Sequence, residues 1–122
     1  MTREPRKSAV TGTCHCGAVS VTLPAAPTSI THCNCGLCRR YGVLWTYCQI
    51  AEVTVTGDTD TYAWNGENVA FHRCKGCGCV THWSPRKSSR TSMGINARLF
   101  DPEHVAAAEI VLKDDARSGL FY

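Results

Sequence analysis

Seven of the nine cysteines in this 122-residue chain fall into three tight clusters, and no other feature constrains the fold as strongly. They read Cys14-x-Cys16, Cys33-x-Cys35-x-x-Cys38 and Cys74-x-x-Cys77. Gaps of one or two residues suit thiolates gathered on one metal ion better than disulfides. An odd total also leaves at least one thiol unpaired in any disulfide scheme. Seven divides into four plus three. A closed structural zinc takes four protein ligands, whereas a catalytic zinc typically keeps three and an open position. Spacing therefore assigns Cys14, Cys16, Cys74 and Cys77 to a closed site that pins an early hairpin to a later one. Cys33, Cys35 and Cys38 are close enough for one loop to wrap one ion, and they form the open, catalytic set. Two zinc ions per chain are expected, one structural and one labile.

Each cluster has a cysteine followed by glycine: Cys16-Gly17, Cys35-Gly36 and Cys77-Gly78. These are expected to be curls in which glycine takes positive φ and backbone N–H groups face the sulfurs. The fourth position of the open site could hold water, a substrate thiol or a side chain. The side chains to weigh are His32, Cys48, His72, Cys79 and His82. A histidine in a strand is more often hydrogen-bonded than ligating. Cys48, set among Trp45, Tyr47 and Ile50, reads as a small buried hydrophobe. Cys79 is the strongest rival, because Cys77-Gly78-Cys79 repeats the C-x-C spacing.

The formal charge of +3 counts the cysteines as neutral. A four-thiolate zinc carries about −2 and a three-thiolate zinc about −1, because ligating thiols are deprotonated. The loaded protein is then near neutrality, and no nucleic-acid partner is expected. No apolar run approaches a membrane span. The stretch from Met1 to Lys7 is charged and lacks the apolar core of a signal peptide, so a cytoplasmic protein is expected. Residues 1–10 read as a flexible lead-in and 11–122 as one domain.

Beyond the clusters the chain is a series of short β-type segments between turns, so the fold class is mainly β. Strands are expected at Ala18 to Leu23, Ile30 to Cys33, Leu44 to Ile50, Val53 to Thr56 and Thr61 to Trp64. Further strands are expected at Val69 to Arg73, Val80 to Trp83, Thr91 to Ile95 and Glu109 to Leu112. Gly57-Asp58 and Asn65-Gly66 mark turns. Gly36 to Tyr41 can form a helical turn, and Asp101-Pro102 has the N-cap and first-position signals of a second short helix.

Three segments carry a resemblance. Thr11-Gly12-Thr13-Cys14-His15-Cys16-Gly17-Ala18-Val19, His32-Cys33-Asn34-Cys35-Gly36-Leu37-Cys38-Arg39-Arg40-Tyr41-Gly42 and Phe71-His72-Arg73-Cys74-Lys75-Gly76-Cys77-Gly78 together resemble the glutathione-dependent formaldehyde-activating enzyme family. Gly94-Ile95-Asn96-Ala97-Arg98 and Phe100-Asp101-Pro102-Glu103 are also similar to its members, and the likeness spans roughly residues 10 to 112. The domain also occurs in centromere protein V. The resemblance implies a β-tent of the Mss4-like kind, built from short antiparallel strands around zinc-binding loops. It also implies a structural zinc and a second, exchangeable zinc, and a carbon–sulfur lyase activity that joins glutathione to formaldehyde.

An open position beside three thiolates suits a soft sulfur ligand such as the glutathione thiol, with a small aldehyde as the second substrate. Glutathione has two carboxylates, which arginine can grip bidentately. Arg39 and Arg40, directly after Cys38, are best placed for this by sequence, ahead of Arg73 and Lys75, against the plain reading of solvated surface charge. Tyr41, Trp45 and Trp83 could line a pocket, although aromatics in so small a domain are more often core. The reading from another class is a zinc-stabilised module that binds glutathione or a partner without turnover.

Overall fold

A computed structural model describes residues 8–63, 68–87 and 89–114. Among them the chain forms ten strands in two sheets and two short α-helices. The small sheet has the order β1 (Val10–Thr13), β2 (Ser20–Leu23), β5 (Thr54–Thr56), with antiparallel neighbours throughout. The large sheet contains β3 (Ser29–Cys33), β4 (Trp45–Gln49), β6 (Thr59–Tyr62), β7 (Val69–Cys74), β8 (Val80–Pro85), β9 (Ser92–Asn96) and β10 (Glu109–Lys113). Its spatial order is β10-β3-β4-β9-β8-β7-β6. Helix α1 (Gly36–Tyr41) follows β3, and α2 (Pro102–Val105) precedes β10.

Alternation explains how the sheets meet. Val10, Val21 and Leu23 point inward from β1 and β2 with polar or exposed residues between them. They pack against Met93 and Ile95 of β9 and against Phe100, which joins the small sheet to the large one. Val21 and Ile95 are fully buried. Burying a side chain of that size contributes about 1.5–3 kcal/mol, an upper figure because denatured chains already bury some surface. The chain crosses from the small sheet to the large one at Gly57, whose φ is 106°. A Cβ there would sit 2.8 Å from Val19 Cα, so the crossover lies hard against the first cysteine loop.

The mainly β expectation and most of the strand positions hold, with informative differences. Val10, placed in the lead-in, is buried and opens β1, while residues 1–7 lie outside the described residues. The strand expected up to Trp64 is Thr59–Tyr62; Trp64 and the Asn65-Gly66 turn lie outside the described residues. Pairing is not wholly antiparallel, since β10 lies parallel to β3 with Lys113 beside Cys33. Asp101 takes the N-cap position of α2 with Pro102 behind it, but its side chain makes no capping hydrogen bond and the helix lasts about one turn. None of the described helices is long and apolar enough to cross a membrane.

Candidate metal centres

Cys14 and Cys16 sit in the turn between β1 and β2, and Cys74 and Cys77 at the turn between β7 and β8. The four sulfurs lie within 4.8 Å of one another. Cys14 Sγ is 3.7 Å from Cys16 Sγ, which is 3.5 Å from Cys74 Sγ. Four thiolates at about 2.3 Å from a tetrahedral zinc would be about 3.8 Å apart, so the quartet has the size of that ion's ligand shell. Because β1–β2 belongs to the small sheet and β7–β8 to the large one, an ion held by these four thiols would fasten the two together.

The loops are shaped by backbone donors. Val19 N–H donates to Cys14 Sγ at 3.3 Å, and the N–H groups of Gly76 and Cys77 donate to Cys74 Sγ at 3.3 and 3.5 Å. The N–H groups of Cys79 and then Cys16 hold the Cys77 thiol down to about 5, so this ligand is already anionic near neutrality. Gly17 and Gly78 have φ of 83° and 79°, as a curl around an ion requires. The third glycine departs from that expectation. Gly36 is not among the positive-φ glycines; it opens α1, and the left-handed turn falls instead at Gly42, which caps the helix.

Cys33 ends β3, Cys35 is the N-cap of α1 and Cys38 lies in its first turn. Their sulfurs also lie within 4.8 Å of one another, and all three residues are buried. Cys35 Sγ accepts from Cys38 N–H at 3.3 Å, so the helix start itself brings the two thiols together. The Trp45 indole N–H donates to Cys38 Sγ, also at 3.3 Å. Burial pushes the Cys33 and Cys38 thiols up, and at Cys38 the indole donor works against that rise. Three convergent thiols in an apolar cluster of Val43, Trp45, Val69 and Phe71 fit a soft metal ion.

The side chains weighed as a fourth ligand go elsewhere. Among the described residues, no other histidine, cysteine or carboxylate joins the three thiols within that 4.8 Å group. His72 and His82 stack with ring centroids 4.0 Å apart. Thr59 and Ser84 hydroxyls meet the two nitrogens of His72 at 2.8 Å, and the Thr81 hydroxyl meets His82 Nδ1 at 2.8 Å. Burial lowers both pKa values, to about 4 for His82, so the pair is neutral. His32 is exposed, and Cys48 is half-buried against the inter-sheet core. Cys79 packs beside the quartet but is not one of its four mutually close thiols. None of the nine cysteines forms a disulfide.

The three cysteines open on a cavity of about 310 Å³ walled by Trp45, Tyr47, Val69, Phe71 and Trp83, with Arg90 and Lys113 as its cations. A smaller cavity of about 190 Å³ reaches Cys33 and Cys38 from another side, bordered by Arg39 and Arg98. Arg39 is thus near the cysteines. Arg40 is not brought to either cavity: its Nη1 donates to Gly36 O at 2.9 Å, and it borders an apolar cleft with Tyr41, Tyr62 and Arg73. Trp45 and Trp83 are cavity walls, as weighed from the sequence, whereas Tyr41 packs edge-on to Phe71 at 5.8 Å.

Arg90, Lys113 and the Trp45 donor escaped the sequence reading. Lys113 reaches the cavity only because β10 lies in register with β3, and no local pattern announces a parallel pairing across so many residues. Trp45, seven residues after Cys38 and opening a strand, was within reach of a search for donors near the clusters.

Comparison with known proteins agrees with this arrangement. Among curated proteins none matches. A structural-genomics protein of Rhodobacter sphaeroides has a similar crystal structure, with a TM-score of 0.65 at 24% identity over 83% of this chain and 99% of that one. At that identity the likeness shows the fold. The family model described as glutathione-dependent formaldehyde-activating enzyme matches residues 9–113, which takes in both cysteine groups and both sheets. With the Mss4-like fold and the four-plus-three thiol arrangement in place, the chain belongs to the glutathione-dependent formaldehyde-activating enzyme family.

Proposed function

We propose that the protein adds the thiol of glutathione, or a related carboxylate-bearing thiol, to formaldehyde or a similar small aldehyde at the three-cysteine site. The observation that carries this reading is the trio itself: three buried thiols with no fourth donor of their kind among the described residues, opening on an aromatic cavity with two cations. Cys33, Cys35 and Cys38 would hold the second zinc, while Cys14, Cys16, Cys74 and Cys77 hold the structural one. Bound there, zinc supplies a site that favours the thiolate form of an incoming sulfur.

The remaining steps fall to the chain. Trp45, Phe71 and Trp83 exclude water and bind the apolar part of the thiol. Arg90 and Lys113 take one carboxylate; Arg39 and Arg98 flank the cysteines from the other side and suit the second. The substrate sulfur forms the new bond to the aldehyde carbon, the carbonyl π pair moves to oxygen, and that oxygen takes up a proton. The proton released by the thiol balances the one taken up, so the product is an S-(hydroxymethyl) thioether and no oxidant is needed. Tyr47 lines the same cavity, and burial pushes its phenol up, so it is protonated and able to donate to that oxygen.

Because uncatalysed thiol addition to formaldehyde is itself facile, the decisive assay is saturable acceleration above that background by the zinc-loaded protein. Saturable glutathione binding with no acceleration would favour the carrier without turnover. No binding and no acceleration would remove both.

A further inference from the structure

Among the described residues, strand β10 is the outermost strand of the large sheet, and all five of its residues are exposed. Three are consecutive and apolar: Ile110 is 53% exposed, Val111 41% and Leu112 78%. An apolar edge with no described neighbour is a template for strand addition, which proteins ordinarily blunt or cover.

The backbone phase of that edge is fixed by β3. Glu109 N–H donates to Thr28 O, and Lys113 O accepts from Asn34 N–H. Groups on alternate residues point the same way along a strand. Glu109, Val111 and Lys113 therefore direct their backbone groups at β3, and Ile110 and Leu112 direct theirs at the open edge.

We infer that β10 pairs antiparallel with β10 of a second copy, about a two-fold axis through Val111, to make one continuous sheet across a homodimer. The strand reads acid, three apolar residues, base, and is complementary to its own reverse. In this register Glu109 faces Lys113 of the second copy at both ends, and Ile110 faces Leu112. The Ile110–Leu112 pairs are the hydrogen-bonded ones, using the N–H and C=O groups that point outward; the two Val111 residues form a non-hydrogen-bonded pair. Slipping by one residue sets outward groups against inward ones. Slipping by two restores the phase but loses both charge pairs. Charge, hydrophobicity and backbone phase thus select the same alignment, and the partner that satisfies all three is another copy of this chain. Lys113 also borders the trio cavity, so this edge and the site share a residue.

Sedimentation velocity of the zinc-loaded protein over a wide concentration range tests the inference. Wild type should shift toward dimer as concentration rises. Glu109→Lys and Lys113→Glu each convert two attractive contacts into two repulsive ones and should weaken association about tenfold, while the double exchange should return it close to wild type. Val111→Cys gives an independent check. Non-hydrogen-bonded pairs have Cα atoms about 4.5 Å apart, within disulfide range, so mild oxidation should yield a reducible covalent dimer absent from wild type. A wild type that stays monomeric throughout would overturn the proposal, as would a dimer indifferent to both charge reversals. If removal of residues 115–122 alone converts a monomer into a dimer, the chain's own terminus is the occupant of this edge and the proposal is equally refuted.

Discussion

Replacing Gly94 with alanine probes the wall of the trio cavity without touching a cysteine. Gly94 in β9 lies directly across from Trp83 in β8, and the indole rests on the surface that a side chain would otherwise occupy. An added Cβ would fall 2.6 Å from both Cδ1 and Cε2 of Trp83, and closer still to Nε1. Carbon atoms settle at about 3.5–4.0 Å, so the ring must retreat by about 1 Å or more, against the neighbours that hold it. One of these is Tyr47, whose ring centroid is 6.2 Å away. Overpacking of this kind costs about 1–3 kcal/mol. For a domain of this length that is a fall of roughly 4 °C in Tm per kcal/mol. In a Trp83→Leu background the same alanine should cost far less, leaving a coupling of at least about 1 kcal/mol in the double-mutant cycle. Thermal unfolding of the four zinc-loaded proteins measures this directly. Additive losses, or a Gly94→Ala protein as stable as wild type, would refute the claim that the indole fills the glycine's place.

Further expectations concern the thiols. Cys14→Ser and Cys77→Ser each open the closed site and should lower Tm severely, because the link between the two sheets is lost. Cys35→Ser keeps an oxygen acceptor at the N-cap of α1, so helix and fold should persist by circular dichroism while one metal is lost. Trp45→Phe removes the donor to Cys38 Sγ and should weaken zinc binding at the trio about 10–100-fold in a chelator competition, leaving the quartet's ion in place. Burial raises Cys33 and Cys38, so each must surrender a proton to bind zinc, and trio affinity should climb with pH by up to about tenfold per unit for each proton displaced. Cys77, held at about 5, spares the quartet one such proton. Cys16, pushed up to about 11, offsets part of that saving, so the order of loss rests on ligand number: four protein thiolates hold an ion more firmly than three. On acidification native mass spectrometry should show the trio emptying first, and simultaneous loss would contradict the assignment.

Much of this was legible because thiol spacing is a short-range signal. Cys33, Cys35 and Cys38 span one strand end and one helical turn, so adjacency in sequence is adjacency in space. The quartet was readable for a related reason: each half is a hairpin turn, and only a shared ion gives both halves four ligands. The histidines behaved as strand residues do, pairing with Thr59, Thr81 and Ser84 rather than with metal. What stayed hidden depends on contacts between distant segments. Lys113 stands beside Cys33 through a parallel ladder, and Arg90 arrives from the connection between β8 and β9. Arg40, two residues after Cys38 and one further round α1 than Arg39, turns away to its own helix carbonyl. Nearness in sequence on a helix fixes a direction as well as a distance, and 100° per residue separates Arg39 from Arg40.

The division of labour between the two thiol groups is tested most directly by counting zinc in wild type and Cys35→Ser while glutathione is titrated. Wild type should carry two ions, and the variant one that glutathione neither removes nor contacts. Only wild type should respond to the thiol, through its second ion. Two ions retained in Cys35→Ser, or an equal response to glutathione in both proteins, would contradict a closed quartet beside an open trio.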